Sequence, residues 1–224
     1  MDHPNQTRLN TEILDKVAMQ DLTARDSLAE GRRALRKRDF AGAALAFGRG
    51  TAKEPDNPVY LHGAAVAARR LGDFGSAEFL YRAAVAAAEQ RPGRDGTNPT
   101  VIAMRLIDLY RSQGRYTEAE KLCFRVLASK RAGRSRIARS RIHVCLADLY
   151  RRQGRFAAAA RAYRAAIAHR RQIFGDRHPK TAQILPQLAD MCRRLGRHGE
   201  ADYLSRQANA VFNALEHLRA VGHA

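Results

Sequence analysis

The chain of 224 residues carries 40 Lys and Arg against 22 Asp and Glu, a net charge of +18, with no tryptophan and 7% aromatic residues. No apolar run is long enough to span a bilayer, which excludes membrane insertion by a helix. The three cysteines, at no metal-site spacing, exclude a disulfide framework and predict reduced, mostly buried thiols.

Alanine is abundant and β-branched residues are sparse. Alanine loses no side-chain entropy in a helix, so the chain reads as all-α. The first ten residues are polar and lack an apolar signal core, so the protein is expected in the cytoplasm. The charge is uneven. Residues 1–112 carry 17 basic and 14 acidic residues, a net of +3, and residues 113–224 carry 23 and 8, a net of +15. Such asymmetry points to an anionic partner. An arginine-rich composition accounts for it equally well, and both readings stay open.

Taken in chain order, residues 1–23 form an N-terminal segment. Within it Thr11–Leu22 places Ile13, Leu14 and Val17 at helical spacing, which predicts a leading helix. Residues 24–221 then repeat one pattern in units starting near 24, 58, 100, 140 and 182: an apolar helix, a tight turn and a second helix. The turns are Lys37-Arg38-Asp39-Phe40, Leu71-Gly72-Asp73-Phe74, Gln113-Gly114-Arg115-Tyr116, Gln153-Gly154-Arg155-Phe156 and Leu195-Gly196-Arg197-His198. Their second residues are 34, 42, 40 and 42 apart. Glycine suits a left-handed position just past a helix end, and Arg38 weakens the first turn. The aromatic after each turn is expected to plug the hairpin. Three residues later an alanine recurs (Ala43, Ala77, Ala119, Ala159, Ala201), where a small side chain lets helices approach. Four residues further come Phe47, Tyr81, Cys123, Tyr163 and Ser205. Residues 90–99, rich in Gly and Pro, read as a loop or a hinge dividing the chain. Pro186 should kink or delay the first helix of the last unit. Tyr203–Val221 reads as a terminal capping helix.

This pattern resembles the tetratricopeptide repeat, with its helix-A apolar pair, turn glycine, Ala-x3-aromatic and closing proline, here Pro55. The longer spacings, with Gly175-Asp176-Arg177-His178-Pro179-Lys180-Thr181-Ala182, resemble the kinesin-light-chain variety. The resemblance covers roughly residues 24–216. It implies a right-handed α-solenoid of about five helical hairpins, whose first helices line a concave groove that holds a peptide or partner protein. It also implies a structural role for His178.

On that numbering an arginine recurs near the end of every first helix: Arg36, Arg69 and Arg70, Arg111, Arg151 and Arg152, Arg193 and Arg194. Arg32, Arg105 and Arg141 add to it. Together they form a candidate cationic ladder for an acidic segment of a partner, since arginine binds carboxylates bidentately. Asp108, Asp148 and Asp190 lie three or four residues before an arginine, so the ladder could also neutralise itself. The second unit has Val66 there, which leaves Arg69 and Arg70 least compensated. A second candidate is the acid-free run from Lys130 to Arg141, in which Lys130, Arg131, Arg134, Arg136 and Arg139 could contact a polyanion such as nucleic acid. No base-reading or base-stacking motif accompanies it.

No phosphate-cradling loop, nucleophile elbow or zinc-protease motif occurs. His143 and Cys145 are two residues apart on a helix and point to different faces. The reading is therefore a non-catalytic adaptor without cofactor or metal. Its alternatives are a nucleic-acid-associated protein and a chaperone-like subunit of a larger assembly. Nothing in the sequence sets an oligomeric state.

Overall fold

The structure is a computed structural model that describes residues 26–90, 98–129 and 135–221, the side chains of 219–221 apart. The leading helix expected in residues 1–23, most of the expected hinge, and Lys130, Arg131 and Arg134 lie outside the described residues. Every described element is helical: α1 (26–37), α2 (Phe40–Lys53), α3 (Pro58–Leu71), α4 (Phe74–Gln90), α5 (Pro99–Ser112), α6 (Tyr116–Ala128), α7 (Arg136–Arg152), α8 (Phe156–Phe174), α9 (Pro179–Ala182), α10 (Leu185–Arg194) and α11 (His198–Val221). The chain divides into two compact units, Met1–Leu109 and Tyr110–Ala224, and the division falls within α5.

One turn is used five times. In each, the residue after the left-handed position donates its backbone N–H to a carbonyl five residues back. These bonds run from Asp39 to Ala34, Asp73 to Ala68, Arg115 to Tyr110, Arg155 to Tyr150 and Arg197 to Cys192, at 2.8–3.0 Å. This bond satisfies a carbonyl that the helix end would otherwise orphan. It requires positive φ at the preceding residue, which Gly72, Gly114, Gly154 and Gly196 adopt at 71–85°. Arg38 adopts the same conformation at φ 62° despite its Cβ. Side chains fix several helix starts. Asp39 accepts from Gly42 N, Asn57 from Val59 N and Ser135 from Ala138 N. Such N-caps satisfy otherwise free donors of the first turn.

In the first unit α1, α2 and α3 close over Phe47, which is 2% exposed. Its ring lies where a Cβ on Gly31 or Gly63 would come within 2.9 Å, so two helices can meet the ring only because both positions are glycine. In the second unit Ala159, Tyr163, Ala166 and Ile167 of α8 pack with Ile142, Leu146 and Leu149 of α7 and Leu185, Leu188 and Met191 of α10. All five recurrent alanines are 0% exposed, as close helix contact demands.

The structure corrects one expectation. The aromatics after the turns do not plug the hairpins. Phe40, Tyr116 and Phe156 are half-buried and Phe74 is 43% exposed. They stand on the first turn of the second helix, and the buried contacts are made one and two turns later by alanine and the large residue. Pro186 behaves as expected. It sits in the first turn of α10, and the chain turns at Gln183 and Ile184 between α9 and α10 because proline has no N–H to continue a helix. His178 caps α9 through Nδ1, accepting from Lys180 N at 3.1 Å, and stacks on Phe174 at 4.8 Å. The outer register of α11 is polar. Asp202, Ser205, Arg206 and Asn209 stand where α8 has Ala160, Tyr163, Arg164 and Ile167, so three apolar or aromatic positions of α8 become polar here.

Two sets of substitutions test this packing by urea denaturation of the full chain. Arg38→Gly should stabilise by about 0.5 kcal/mol, because the left-handed cost of roughly 1–2 kcal/mol exceeds glycine's entropic cost of roughly 0.5–1 kcal/mol. Gly63→Ala should destabilise by about 1–3 kcal/mol through overpacking against Phe47. Gly48→Ala, whose Cβ would meet nothing within 4 Å, should instead stabilise by about 0.5–1 kcal/mol.

Candidate functional site

The arginines of the expected ladder fall at the ends of first helices, and their surroundings differ. In the second unit Arg111 and Arg151 both lie 3.8 Å from Asp148. Arg193 donates to Ser205 at 2.9 Å and lies 4.0 Å from Asp202. Arg194 lies 3.3 Å from Asp190 and 5.0 Å from the centre of the Phe156 ring. In the first unit Arg70 stands over Phe40 at 5.8 Å. Phe40 and Phe156, both half-buried, thus serve as platforms for arginines of the following repeat. Exposed ion pairs and cation–π contacts of this kind are worth about 0–1 kcal/mol each, so an incoming ligand can displace them. Arg32, Arg36, Arg105, Arg141 and Arg152 are exposed.

The equivalent tyrosines Tyr81 and Tyr163 separate two kinds of site. Both are 0% exposed. Tyr163 donates its hydroxyl to Asp148 Oδ1 at 2.6 Å, and burial followed by this bond pushes its ionisation far above the ordinary phenol range. Asp148 therefore answers a phenol and two guanidinium groups at once. In the first unit the corresponding residue is Val66. There burial raises the Tyr81 phenol, and the charges of Arg69, Arg105 and Arg70 act against that rise. His62 joins this cluster, its ring 6.0 Å from that of Tyr81. Its Nε2 is buried without a hydrogen-bond partner, and burial, then Arg105, lowers its pKa. Arg69 and Arg105 thus both act on Tyr81, whose ring stands beside that of His62, and the four residues come from three helices. Sequence reading singled out the arginines and Val66. It missed Tyr81 and His62 as members of the cluster, although Tyr81 stands at the recurrent large position.

A second linkage joins α6 to α7. Tyr150 donates to Glu120 at 2.8 Å, Arg155 donates to the same carboxylate at 3.1 Å, and Arg155 lies over the Tyr150 ring at 4.4 Å. Burial and the Glu120 bond push the Tyr150 phenol up to about 12. Cys123 and Cys192 are buried and Cys145 half-buried, all three as free thiols. Among the described residues no group of three or more His, Cys, Asp or Glu could hold a metal ion, and no helix is long and apolar enough to cross a membrane. Arg136 and Arg139 of the basic run are placed on α7, Arg136 exposed and Arg139 half-buried.

Burial lowers the pKa of His62, His143 and His169 alike. A lowered folded-state value means that the unfolded chain binds protons more readily. Stability is therefore fully present above about pH 6.5 and is lost as pH falls through the lowered values. Urea midpoints measured from about pH 7.5 down to about pH 5 should fall, and substituting the three histidines by glutamine should flatten that fall.

Models of the tetratricopeptide repeat match residues 28–92, 105–137 and 138–214. No curated protein matches the sequence. Among solved structures, the chain is similar to the nearly identical TPR-like repeats of a putative kinesin light chain from Podosopora anserina, at 20% identity over 86% of this chain and 96% of that one, with a TM-score of 0.68. It is also similar to BtubC from P. vanneervenii, at 16% identity over 89% and 92% of the two chains and a TM-score of 0.68. MamA from Desulfovibrio magneticus RS-1, residues 41 to its end, gives 17% identity over 86% and 96% and a TM-score of 0.63. At such identities the likeness shows the fold, an all-α repeat solenoid.

Proposed function

The chain belongs to the tetratricopeptide repeat family, and on that premise we propose that it is a non-catalytic adaptor that binds an acidic segment of a partner protein, in the cytoplasm. The family's fold supports protein–protein interaction in general. The acidic specificity rests on one observation: Arg69, Arg105 and Arg70 act on Tyr81, and Arg105 also on the neighbouring His62, where the equivalent Tyr163 is answered by Asp148. A partner's carboxylate would take, in the first unit, the part Asp148 plays in the second. Charge-assisted bonds from arginine to a carboxylate, in a partly buried site, supply both affinity and register. Three free thiols fit a reducing compartment.

The test is an affinity pull-down from native lysate under nuclease treatment, followed by anisotropy with an acidic peptide mapped from the captured partner. Arg69→Gln with Arg105→Gln should weaken that peptide by about ten- to a hundredfold, the loss of two charge-assisted bonds. The control Arg161→Gln, on α8, should leave it unchanged. Equal binding by both variants rejects the groove assignment. A second reading, polyanion association through the net +15 half, is favoured by Arg136 and Arg139. It requires loss of every captured partner on nuclease treatment and an affinity that falls steeply with salt. A third, a subunit of a larger assembly, requires a mass that grows with concentration.

A further inference from the structure

The hairpin of α7 and α8 carries a second cationic cluster, separate from the groove. The first half of α7 runs along the last half of α8. Arg136 Nε donates to Gln172 Oε1 at 3.0 Å, Ser140 Oγ donates to the Ala166 carbonyl at 3.1 Å, and the rings of His143 and His169 stack at 5.5 Å with 22° between their planes. Arg136, Arg139 and His143 follow one another at three- and four-residue spacing, so they share one face of α7. His169 and Gln172 share the facing edge of α8. Arg141, two residues from both Arg139 and His143, falls on a different face of α7.

Three observations set this cluster apart. It has no internal counter-charge: α8 contains no acidic residue, and the first acidic residue of α7 is Asp148, beyond the cluster. Most other arginines at this end of the chain, such as Arg151, Arg155, Arg164 and Arg194, meet carboxylates. Arg139 Nε is buried with no hydrogen-bond partner, although buried donors are nearly always satisfied. Arg136 and Arg139 also stand on the first turn of a 17-residue helix, where the backbone field favours an anion.

We propose that Arg136, Arg139, His143 and His169 form a binding site for a phosphate group, tightened when an imidazole is protonated. A tetrahedral dianion offers oxygens in several directions, which suits donors converging from two helices. A planar carboxylate would be satisfied by a single guanidinium. The charged groups acting on the two rings are Arg139 and Arg136 of α7 and, on His143, the His169 ring. Neither α6, packed on α7, nor α9 and α10, packed on α8, contributes a charge that acts on them. Burial and these cations hold both imidazoles neutral at neutral pH. A bound dianion offsets that repulsion, so binding takes up protons and strengthens as pH falls. The site is independent of the groove reading, and either can fail alone.

The full chain, labelled for imidazole NMR, is titrated with sulfate, whose charge stays constant across the range, at about pH 7.5 and about pH 5.5, against chloride at equal ionic strength. Saturable shifts of His143 and His169 are expected, with affinity about tenfold tighter at the lower pH. Arg139→Gln and the exposed Arg136→Gln should each weaken binding about tenfold, with the helical signal intact. Changing both histidines to glutamine should abolish the pH dependence. Pyrophosphate and a short single-stranded RNA form two further arms. Saturable pyrophosphate binding lost in Arg136→Gln supports a discrete phosphate site. The proposal is overturned by shifts that grow linearly or match chloride, by wild-type affinity in Arg136→Gln, or by RNA binding without sulfate and pyrophosphate binding.

Discussion

The left-handed turn that ends each first helix is the constraint on which the rest depends. It reverses the chain within three residues and aims the second helix back along the first. It does so by one repeated bond, from the residue after the left-handed position to a carbonyl five back. With the direction fixed, the alanine one turn into the second helix falls against the first helix, where only a small side chain permits contact. The large residue four positions later then fills the hairpin, as Phe47, Tyr81 and Tyr163 do. Because that geometry comes from the backbone, it survives wide change in side chains. Even the non-glycine Arg38 adopts the left-handed conformation of the turn.

Within this scaffold the excess positive charge is largely absorbed by local contacts. Arginines at the ends of first helices lie where the helix dipole favours them, and most find a carboxylate or an aromatic ring within reach. The aromatic positions after the turns are the clearest instance. They stay half-exposed, and Arg70 and Arg194 use two of them as platforms. A net charge of +18 is therefore a poor guide to where an anion binds. The informative places are those where arginines act on polar groups that are wholly or partly buried. Tyr81 with His62, and the His143–His169 pair, meet that condition in different surroundings.

The divergence between repeats carries the functional information. A repeat keeps its fold when one inward position changes from aspartate to valine, since that position faces its neighbours across a polar surface. Yet where the second unit sets Asp148 against its tyrosine, the first has Val66, and the charges that act on Tyr81 are those of arginines. Helix α11 shows the same principle, with Asp202, Ser205 and Asn209 where α8 has Ala160, Tyr163 and Ile167.

The amino-acid sequence by itself determined the helical class, the repeat and its turns, the inward alanines and the break at Pro186. Each of these depends on local backbone chemistry: left-handed conformation, a missing N–H, or a side chain too small to separate two helices. It also singled out the arginines and the position of Val66. Tertiary structure alone decided which arginines remain available, because that depends on neighbours distant along the chain. Arg111 meets Asp148, Arg155 meets Glu120, and His143 meets His169 only after hairpins pack. Spacing within one helix foretells pairs three and four residues apart. It carries no record of what a second helix will bring, and electrostatics, which acts through space, is settled by that second helix.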